Sequence, residues 1–171
     1  MLALCDGTNA LVRPVSPDDG PALVEFHRHL TGQPHFPRYF SSRAQLDSEE
    51  VELLTCVDGW NHVVLVVESN ETLIALGRYD RAGDQRQADV AFAVADNYQQ
   101  QYIASELLYR LAHAARLAGV SRLIAEVRSE NATMVSVFQE AGYPLAWSPR
   151  ELGSTAMTLH IASGLQLTSR S

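Results

Sequence analysis

One stretch constrains the fold more than any other, because an apolar strand-like run leads directly into the best amphipathic helix of the chain. The run reads "QADVAFAVAD", and after a glycine-free turn the helix reads "ASELLYRLAHAARLAG" and stops at Gly119. One helical face is apolar throughout and consists of Leu107, Leu108, Leu111, Ala114, Ala115 and Ala118. A strand and a helix that each present an apolar surface must bury it against other elements, which predicts a layered α/β domain.

The first half of the chain adds strands and helices around this unit. A short run, "ALVRPV", predicts a strand that gives way to a helix at Ser16, a favourable N-cap that Pro17 and two acids follow. Glycine and prolines then break the pattern, and a second helix is predicted over residues 42–57. A short polar turn joins the runs "HVVLVVES" and "TLIALGRYD", which predicts a β-hairpin.

The second half alternates strands and helices. It contains a strand, "SRLIAEVRS", a helix, "ENATMVSVFQEAG", that ends at Gly142, and a final strand, "STAMTLHI". A tail from about residue 162 is expected to fray. Since no long linker or internal repeat divides the chain, we expect one domain over residues 1–171, a mixed α/β fold in which a single sheet carries helices on both faces.

Composition narrows the classes of function. A net charge of −7 argues against the basic surface that binds nucleic acid. Two cysteines, Cys5 and Cys56, indicate a reducing compartment rather than a disulfide framework, so we expect a cytoplasmic protein. The N-terminal residues lack the segments of a signal peptide, and no apolar run approaches the ~18 residues of a membrane span. The histidines show no metal-ligand spacing, so no metal is expected.

The order of the predicted elements and the residues of several stretches resemble those of a known protein family. The second half resembles the acyl-CoA-binding half of the GNAT superfamily of N-acetyltransferases in "VADNYQQQYIASELL" and "RLIAEVRSENATMVSVFQEAGYP". The first half is similar to the GNAT domain of Pat-type protein lysine acetyltransferases in "LCDGTNALVRPVSPDDGPALVEFHRHL", "PRYFSS" and "TCVDGWNHVVLVVES". The resemblance implies a mostly antiparallel central sheet, acetyl-CoA as the acyl donor, and a protein lysine or a small amine as the acceptor.

In that family the turn before the long helix holds the pyrophosphate of acetyl-CoA. Its six-residue pattern begins with Gln or Arg, has Gly at the fourth position and ends with Gly or Ala. Here Gln99 and Ala104 match, and Tyr102 replaces the first glycine. The resemblance places cofactor contacts at Gln99, Gln100, Gln101, Tyr102, Ile103, Ala104 and Ser105. A helix N-terminus can bind an anion through main-chain N–H groups. Tyr102 is then tolerated if its ring points away and its φ stays negative, whereas a ring in the pyrophosphate position blocks the site.

The resemblance also implies that the pantetheine arm of acetyl-CoA enters a splay between two strands, one ending near Ala95 and the other covering Arg122 to Arg128. Main-chain groups at Phe92 and Val94 are expected to pair with the amide groups of the arm. Asn131, at the start of the last helix, caps that helix, hydrogen-bonds the arm, or does both.

The expected chemistry depends on Asp89 and Phe138. An amine must be neutral to attack a thioester, and a lysine costs roughly 4–5 kcal/mol to deprotonate at pH 7, so a carboxylate base is useful. Asp89 lies in the apolar strand where Pat-type domains have Glu, and its shorter side chain favours a water relay; the alternative is a strand-edge aspartate that faces solvent. The resemblance also places Phe138 among the cofactor contacts, where many GNAT enzymes have a tyrosine acid. Without that acid the CoA thiol, with a pKa near that of cysteine, can leave as the thiolate.

Three classes of function follow from these residues. The leading interpretation is an acyl-CoA-dependent N-acetyltransferase in which the amine attacks the thioester directly. The second is a non-catalytic acyl-CoA-binding or protein-interaction domain that has lost turnover through Tyr102, Asp89 and Phe138. The third is a structural partner domain without affinity for CoA.

Overall fold

A computed structural model describes residues 2–28, 48–82, 85–98, 102–128, 132–149 and 154–162 of the chain. The strands are β1 (Leu2–Ala3), β2 (Asn9–Pro14), β3 (His62–Ser69), β4 (Thr72–Asp80), β5 (Gln87–Val94), β6 (Arg122–Arg128), β7 (Leu145–Pro149) and β8 (Ser154–His160). The α-helices are α1 (Gly20–Arg28), α2 (Ser48–Thr55), α3 (Ile103–Leu117) and α4 (Ala132–Glu140). Single turns of 3-10 helix at Pro17–Asp19 and Asp96–Tyr98 lead into α1 and towards α3.

The strands form one eight-stranded sheet in the order β1-β2-β3-β4-β5-β6-β8-β7. Within it, β5 and β6 are parallel and the other described neighbours are antiparallel. The parallel pair follows from α3, because two parallel neighbours need a crossover connection and a helix commonly supplies it. The expected mixed, mostly antiparallel fold is confirmed.

The first helical segment begins where the sequence predicts it. Ser16 is the N-cap, and its side chain accepts a hydrogen bond from the N–H of Asp18 at 3.3 Å. In return, the Asp19 carboxylate accepts from the N–H of Ser16 at 2.6 Å, which completes a reciprocal capping box. Both bonds satisfy donors that a helix start otherwise leaves unpaired, so the chain turns from β2 into α1 at a defined point.

Helices cover both faces of the sheet, as expected. One apolar cluster joins the sheet to α3 and α4 and includes Phe92, Leu107 and Phe138, while a second joins the opposite face to α1 and α2. On the first face α3 packs closely against β4 at Gly77. A Cβ atom at Gly77 would lie only 3.1 Å from side-chain carbons of Leu111 and Phe92, so the glycine permits this approach.

Some sequence expectations need correction. The strands β1 and β7 were not anticipated; β7 is short, ends in a proline and lies at an edge of the sheet, where proline is tolerated and patterning is weak. The described part of the second helix is Ser48–Thr55, and residues 29–47 lie outside the described ranges. On α3, Ala112 is buried and Ala114 is only partly buried.

No described helix is long and apolar enough to cross a membrane.

Candidate active site

The sheet opens between β5 and β6. These two strands pair only near their N-terminal ends, where residues 87–89 are the partners of residues 122–124. From there β5 continues to Val94 and β6 to Arg128, and no pairing joins these described portions. The predicted splay is therefore confirmed, and it leaves a gap between the C-terminal halves of two central strands.

The main-chain groups of β5 that face this gap can be identified from hydrogen bonds at its two ends. The N–H of Arg122 donates to the carbonyl of Arg86 at 3.1 Å, so position 86 faces β6, whereas the N–H of Ala95 donates to a β4 carbonyl at 2.8 Å. Successive residues of a strand direct their N–H and C=O groups to alternate sides. Phe92 and Val94 therefore face the gap, which is the orientation required for pairing with the amide groups of a pantetheine arm.

The floor of the gap is aromatic. The rings of Phe92 and Phe138 have centroids 6.0 Å apart and planes inclined by 60°, and both side chains are fully buried. This tilted arrangement is favourable for two aromatic rings and ties β5 to α4. Phe138 thus supports the strand edge from below and presents no exposed ring surface of its own.

The N-terminus of α3 offers main-chain donors beside the gap. The first helical hydrogen bond runs from the N–H of Glu106 to the carbonyl of Tyr102 at 3.1 Å, so the N–H groups of Ile103, Ala104 and Ser105 precede the helical ladder. The side chain of Tyr102, the N-cap residue, makes no capping hydrogen bond at this end of the helix. Since Ile103 and Ala104 bury their side chains in the core, an anion here would be held by main-chain N–H groups and the helix dipole.

Tyr102 adopts a left-handed conformation, with φ 59° and ψ 13°. The residue is 74% exposed, and its ring points into solvent. Of the two conditions for tolerating Tyr102, an outward ring is therefore met and a negative φ is not. The turn into α3 has a left-handed residue at this position, which costs residues other than glycine roughly 1–2 kcal/mol. This cost gives a physical reason for the glycine that GNAT enzymes favour here. Tyr102 adopts a positive φ although it carries a Cβ atom.

Four of the expected cofactor contacts cannot be placed. Gln99, Gln100, Gln101 and Asn131 lie outside the described residues. The cofactor contacts expected at these four residues stay predictions.

Asp89 lies at the last paired position before the gap opens. It is the partner of Asp80 on β4 and of Ile124 on β6, so it occupies the interior of the sheet, and its side chain is partly buried rather than fully solvent-facing. The neighbouring odd-numbered residues Ala91 and Ala93 pack on the α1 side. Side chains alternate along a strand, so Asp89 also points to the α1 side, where a carboxylate can meet an acceptor at the closed end of the gap.

Sequence reasoning missed a charged network beside Asp89. The guanidinium of Arg78 donates to Asp80 through Nε at 2.8 Å and through a terminal nitrogen at 2.8 Å, and Nδ1 of His62 lies 2.9 Å from the same carboxylate. Arg78 is only 8% exposed. The available signal was "GRYD" at the end of an apolar strand, where charges two residues apart share one face.

Among the described ranges, no group of three or more His, Cys, Asp or Glu side chains could hold a metal ion. Cys5 and Cys56 are both exposed.

A splayed parallel strand pair next to a helix N-terminus, with a carboxylate at the closed end, is an arrangement for an extended ligand with an anionic end. The chain belongs to the GNAT acetyltransferase family, since residues 9–144 match the acetyltransferase (GNAT) domain. It is 32% identical over 145 residues to the acetyltransferase Pat of Mycolicibacterium smegmatis, an alignment that covers 83% of this chain.

Solved structures agree with this assignment. The GNAT domain of S. lividans PAT superposes with a TM-score of 0.83 at 33% identity, covering 94% of this chain and 95% of that domain. The fold is also that of yncA from Salmonella typhimurium, solved with its cofactor acetyl-CoA, with a TM-score of 0.72 at 20% identity over 88% of this chain and 93% of yncA. The alignment with Pat spans only 43% of the length of that relative.

Proposed function

We propose that this chain transfers an acetyl group from acetyl-CoA to a primary amine, a protein lysine side chain, with Asp89 as the general base. The observation that carries the proposal is the splay: Phe92 and Val94 turn main-chain groups into the gap, and Asp89 marks its closed end. Membership of the GNAT family and the yncA fold with acetyl-CoA support the donor. The resemblance to Pat supports the lysine acceptor, and the cysteine content supports a cytoplasmic location.

The described residues fit acetyl-CoA at both ends of the gap. Pyrophosphate can be held by three main-chain N–H groups, those of Ile103, Ala104 and Ser105. They precede the hydrogen-bond ladder of α3, and the positive end of the helix dipole lies there. Phe92 can offer a strand edge to the amides of the pantetheine arm, as in strand addition. Acetyl-CoA supplies the thioester; the chain supplies orientation and a base.

In the proposed reaction, Asp89 accepts one proton from the acceptor ammonium, directly or through water, and thereby exposes the nitrogen lone pair. The amine nitrogen then forms a bond to the acetyl carbon, and the bond from that carbon to sulfur breaks, with the electron pair leaving on the thiolate. The nitrogen loses its remaining extra proton to solvent water, which leaves a neutral amide. Phe138 provides no proton at that stage, and its buried ring has no titratable group. A free thiol with a pKa near 8.5 is a tolerable leaving group as the thiolate.

A catalytically impaired acyl-CoA-binding or protein-interaction domain is the second candidate. Two observations favour it: Tyr102 at the glycine position of the turn, and the absence of a hydroxyl at Phe138. Such a domain would bind acetyl-CoA without turnover, whereas a purely structural domain would not bind it.

The test combines binding and turnover. Thermal unfolding is followed with and without acetyl-CoA, because a ligand at 100 times its Kd stabilises the folded state by about 2.7 kcal/mol. Release of CoA thiol is then measured with lysine-containing peptides as acceptors. Stabilisation with amine-dependent thiol release supports the enzyme, stabilisation without release supports the impaired domain, and no stabilisation contradicts both.

A further inference from the structure

Two carboxylates stand side by side on the face that we assign to the acceptor. Asp80 on β4 and Asp89 on β5 are direct partners in an antiparallel pair, so their side chains project from the same face of the sheet. At such a position the Cβ atoms lie about 5 Å apart, and like charges there disfavour each other. A fold that keeps both groups ionised must supply a compensating cation.

Arg78 is that cation. It lies two residues before Asp80 on the same strand and therefore on the same face, and two of its nitrogen atoms donate to the two carboxylate oxygens of Asp80 at 2.8 Å each. Both side chains are largely withdrawn from solvent, with 10% of Arg78 and 16% of Asp80 exposed. A paired contact of this geometry fixes the guanidinium and neutralises the charge of Asp80.

Other charged groups on neighbouring elements are less suited to this role. His62 of β3 lies 2.9 Å from Asp80, but half of its side chain is exposed. Among the described side chains, the other charged or titratable groups of β6 and α1 on this side of the sheet are Arg122, Glu126, Glu25, His27 and Arg28. Of these, Arg122 and Glu126 are exposed, His27 is buried, and Arg28 pairs with Glu25 at 3.2 Å. Within the described ranges, Arg78 is the arginine that combines burial with a direct hydrogen bond to Asp80.

We propose that Arg78 is a positioning residue for the acceptor amine: by neutralising Asp80, it removes the repulsion that Asp80 would otherwise exert on Asp89. This inference rests on the proposed role of Asp89 as the base. An ionised Asp89 can attract the cationic acceptor and take its proton. Next to a second carboxylate whose charge is not compensated, a carboxylate ionises only at higher pH, because the two negative charges repel each other. Arg78 acts through Asp80 and is not placed in contact with the reacting atoms.

The test compares Arg78→Met, the double variant Arg78→Met/Asp80→Asn, and Arg28→Met as a control that removes an exposed ion pair. In Arg78→Met we expect the acidic limb of the pH profile of kcat/KM to move up by about one pH unit, with a loss of about tenfold on that limb. The double variant removes both charges, so it should return the limb towards its original position. The control should leave the profile unchanged.

A loss that is equal at every pH, or a double variant no better than the single one, would overturn the proposal. If Arg78→Met does not fold, the double variant should recover both folding and activity, because Asp80 no longer carries the unpaired charge. Failure of that recovery also counts against the role of Arg78.

A measurement without turnover separates this inference from the proposed function. Relative to the natural protein, the urea midpoint of Arg78→Met should fall as pH rises from about 3.5 to 6, because the folded state then holds two adjacent carboxylates that repel when they ionise, and unpaired Asp side chains ionise near pH 3.9. Asp80→Asn should cancel that slope. If the slope appears in Arg78→Met but Asp89→Asn keeps full activity, Asp89 is not the base and the charge compensation by Arg78 stands. If the slope is absent, the proposed role of Arg78 fails, whatever the activity of Asp89→Asn.

Discussion

Phe92 and Phe138 lie with their ring centroids 6.0 Å apart, and this contact joins β5 to α4 beneath the gap between β5 and β6. Both rings are fully buried in the cluster that also contains Leu107. The strand edge assigned to the cofactor therefore depends on a side chain from another element. Changes at Phe138 should affect stability first and the cofactor second.

Phe138→Ala should lower the free energy of unfolding by about 3–5 kcal/mol, because a buried ring is lost and a cavity remains. Equilibrium unfolding in urea measures the change. Gln139→Ala, at the adjacent exposed position of α4, is the control and should stay within about 0.5 kcal/mol of the natural protein. A small effect at Phe138 would mean that the ring does not support the sheet.

Tyr102→Gly should stabilise the fold by up to about 1 kcal/mol, since glycine adopts a positive φ without the steric cost that tyrosine has. Tyr102→Ala removes the ring but retains the backbone cost, so it separates strain from side-chain contacts. Because the main-chain donors remain, acetyl-CoA affinity of Tyr102→Gly should stay within tenfold, or about 1.4 kcal/mol, by calorimetry. Binding seen only with glycine at this position would favour the impaired domain over the enzyme.

Asp89→Asn should slow acetyl transfer by roughly 10²–10⁴-fold with little change in the Kd for acetyl-CoA, because a general base acts on the acceptor. Asp89→Glu keeps a carboxylate and restores the residue that Pat-type domains carry, so it should retain most activity. Glu52→Gln removes an exposed carboxylate on α2 and is the charge control. Steady-state rates of thiol release measure all three, and an unchanged rate in Asp89→Asn would remove Asp89 from the mechanism.

The ion pair between Arg13 and Asp19 predicts an acid-sensitive contribution to stability. The guanidinium of Arg13 hydrogen-bonds both carboxylate oxygens of Asp19 at 2.8 Å and lowers the pKa of that carboxyl, and the N–H of Ser16 lowers it further. A carboxyl with a lowered folded pKa stabilises the fold above its unfolded pKa of about 3.9, and the contribution disappears as pH falls through the folded value.

Asp19→Asn should therefore cost about 1–3 kcal/mol at pH 7 and much less near pH 2, by urea unfolding at the two pH values. Asp18→Asn is the matched control, because Asp18 is exposed in the same turn. A cost for Asp19→Asn that is the same at both pH values would contradict the role of the ionised pair.

Sequence patterning was most successful where the physics is local. The Ser16 cap, the strands β3 and β4, and the helix that stops before Gly119 were predicted because capping chemistry, strand-like runs and helical periodicity are set by neighbouring residues. The edge strand β7 was missed because pairing with β8, and not its own composition, makes it a strand. The splay was expected only through family resemblance, since no periodicity records where two strands separate.

The amino-acid sequence by itself determined the family, the mixed α/β class and the position of Asp89 in an apolar strand, because these depend on residue identity and order. Only the tertiary structure decided that Tyr102 takes a left-handed backbone with an exposed ring. It likewise decided that Arg78 and Asp80 stand beside Asp89. Strand register brings together side chains that are distant in sequence, and the electrostatics of a buried carboxylate depend on those neighbours rather than on the residues beside it in the chain.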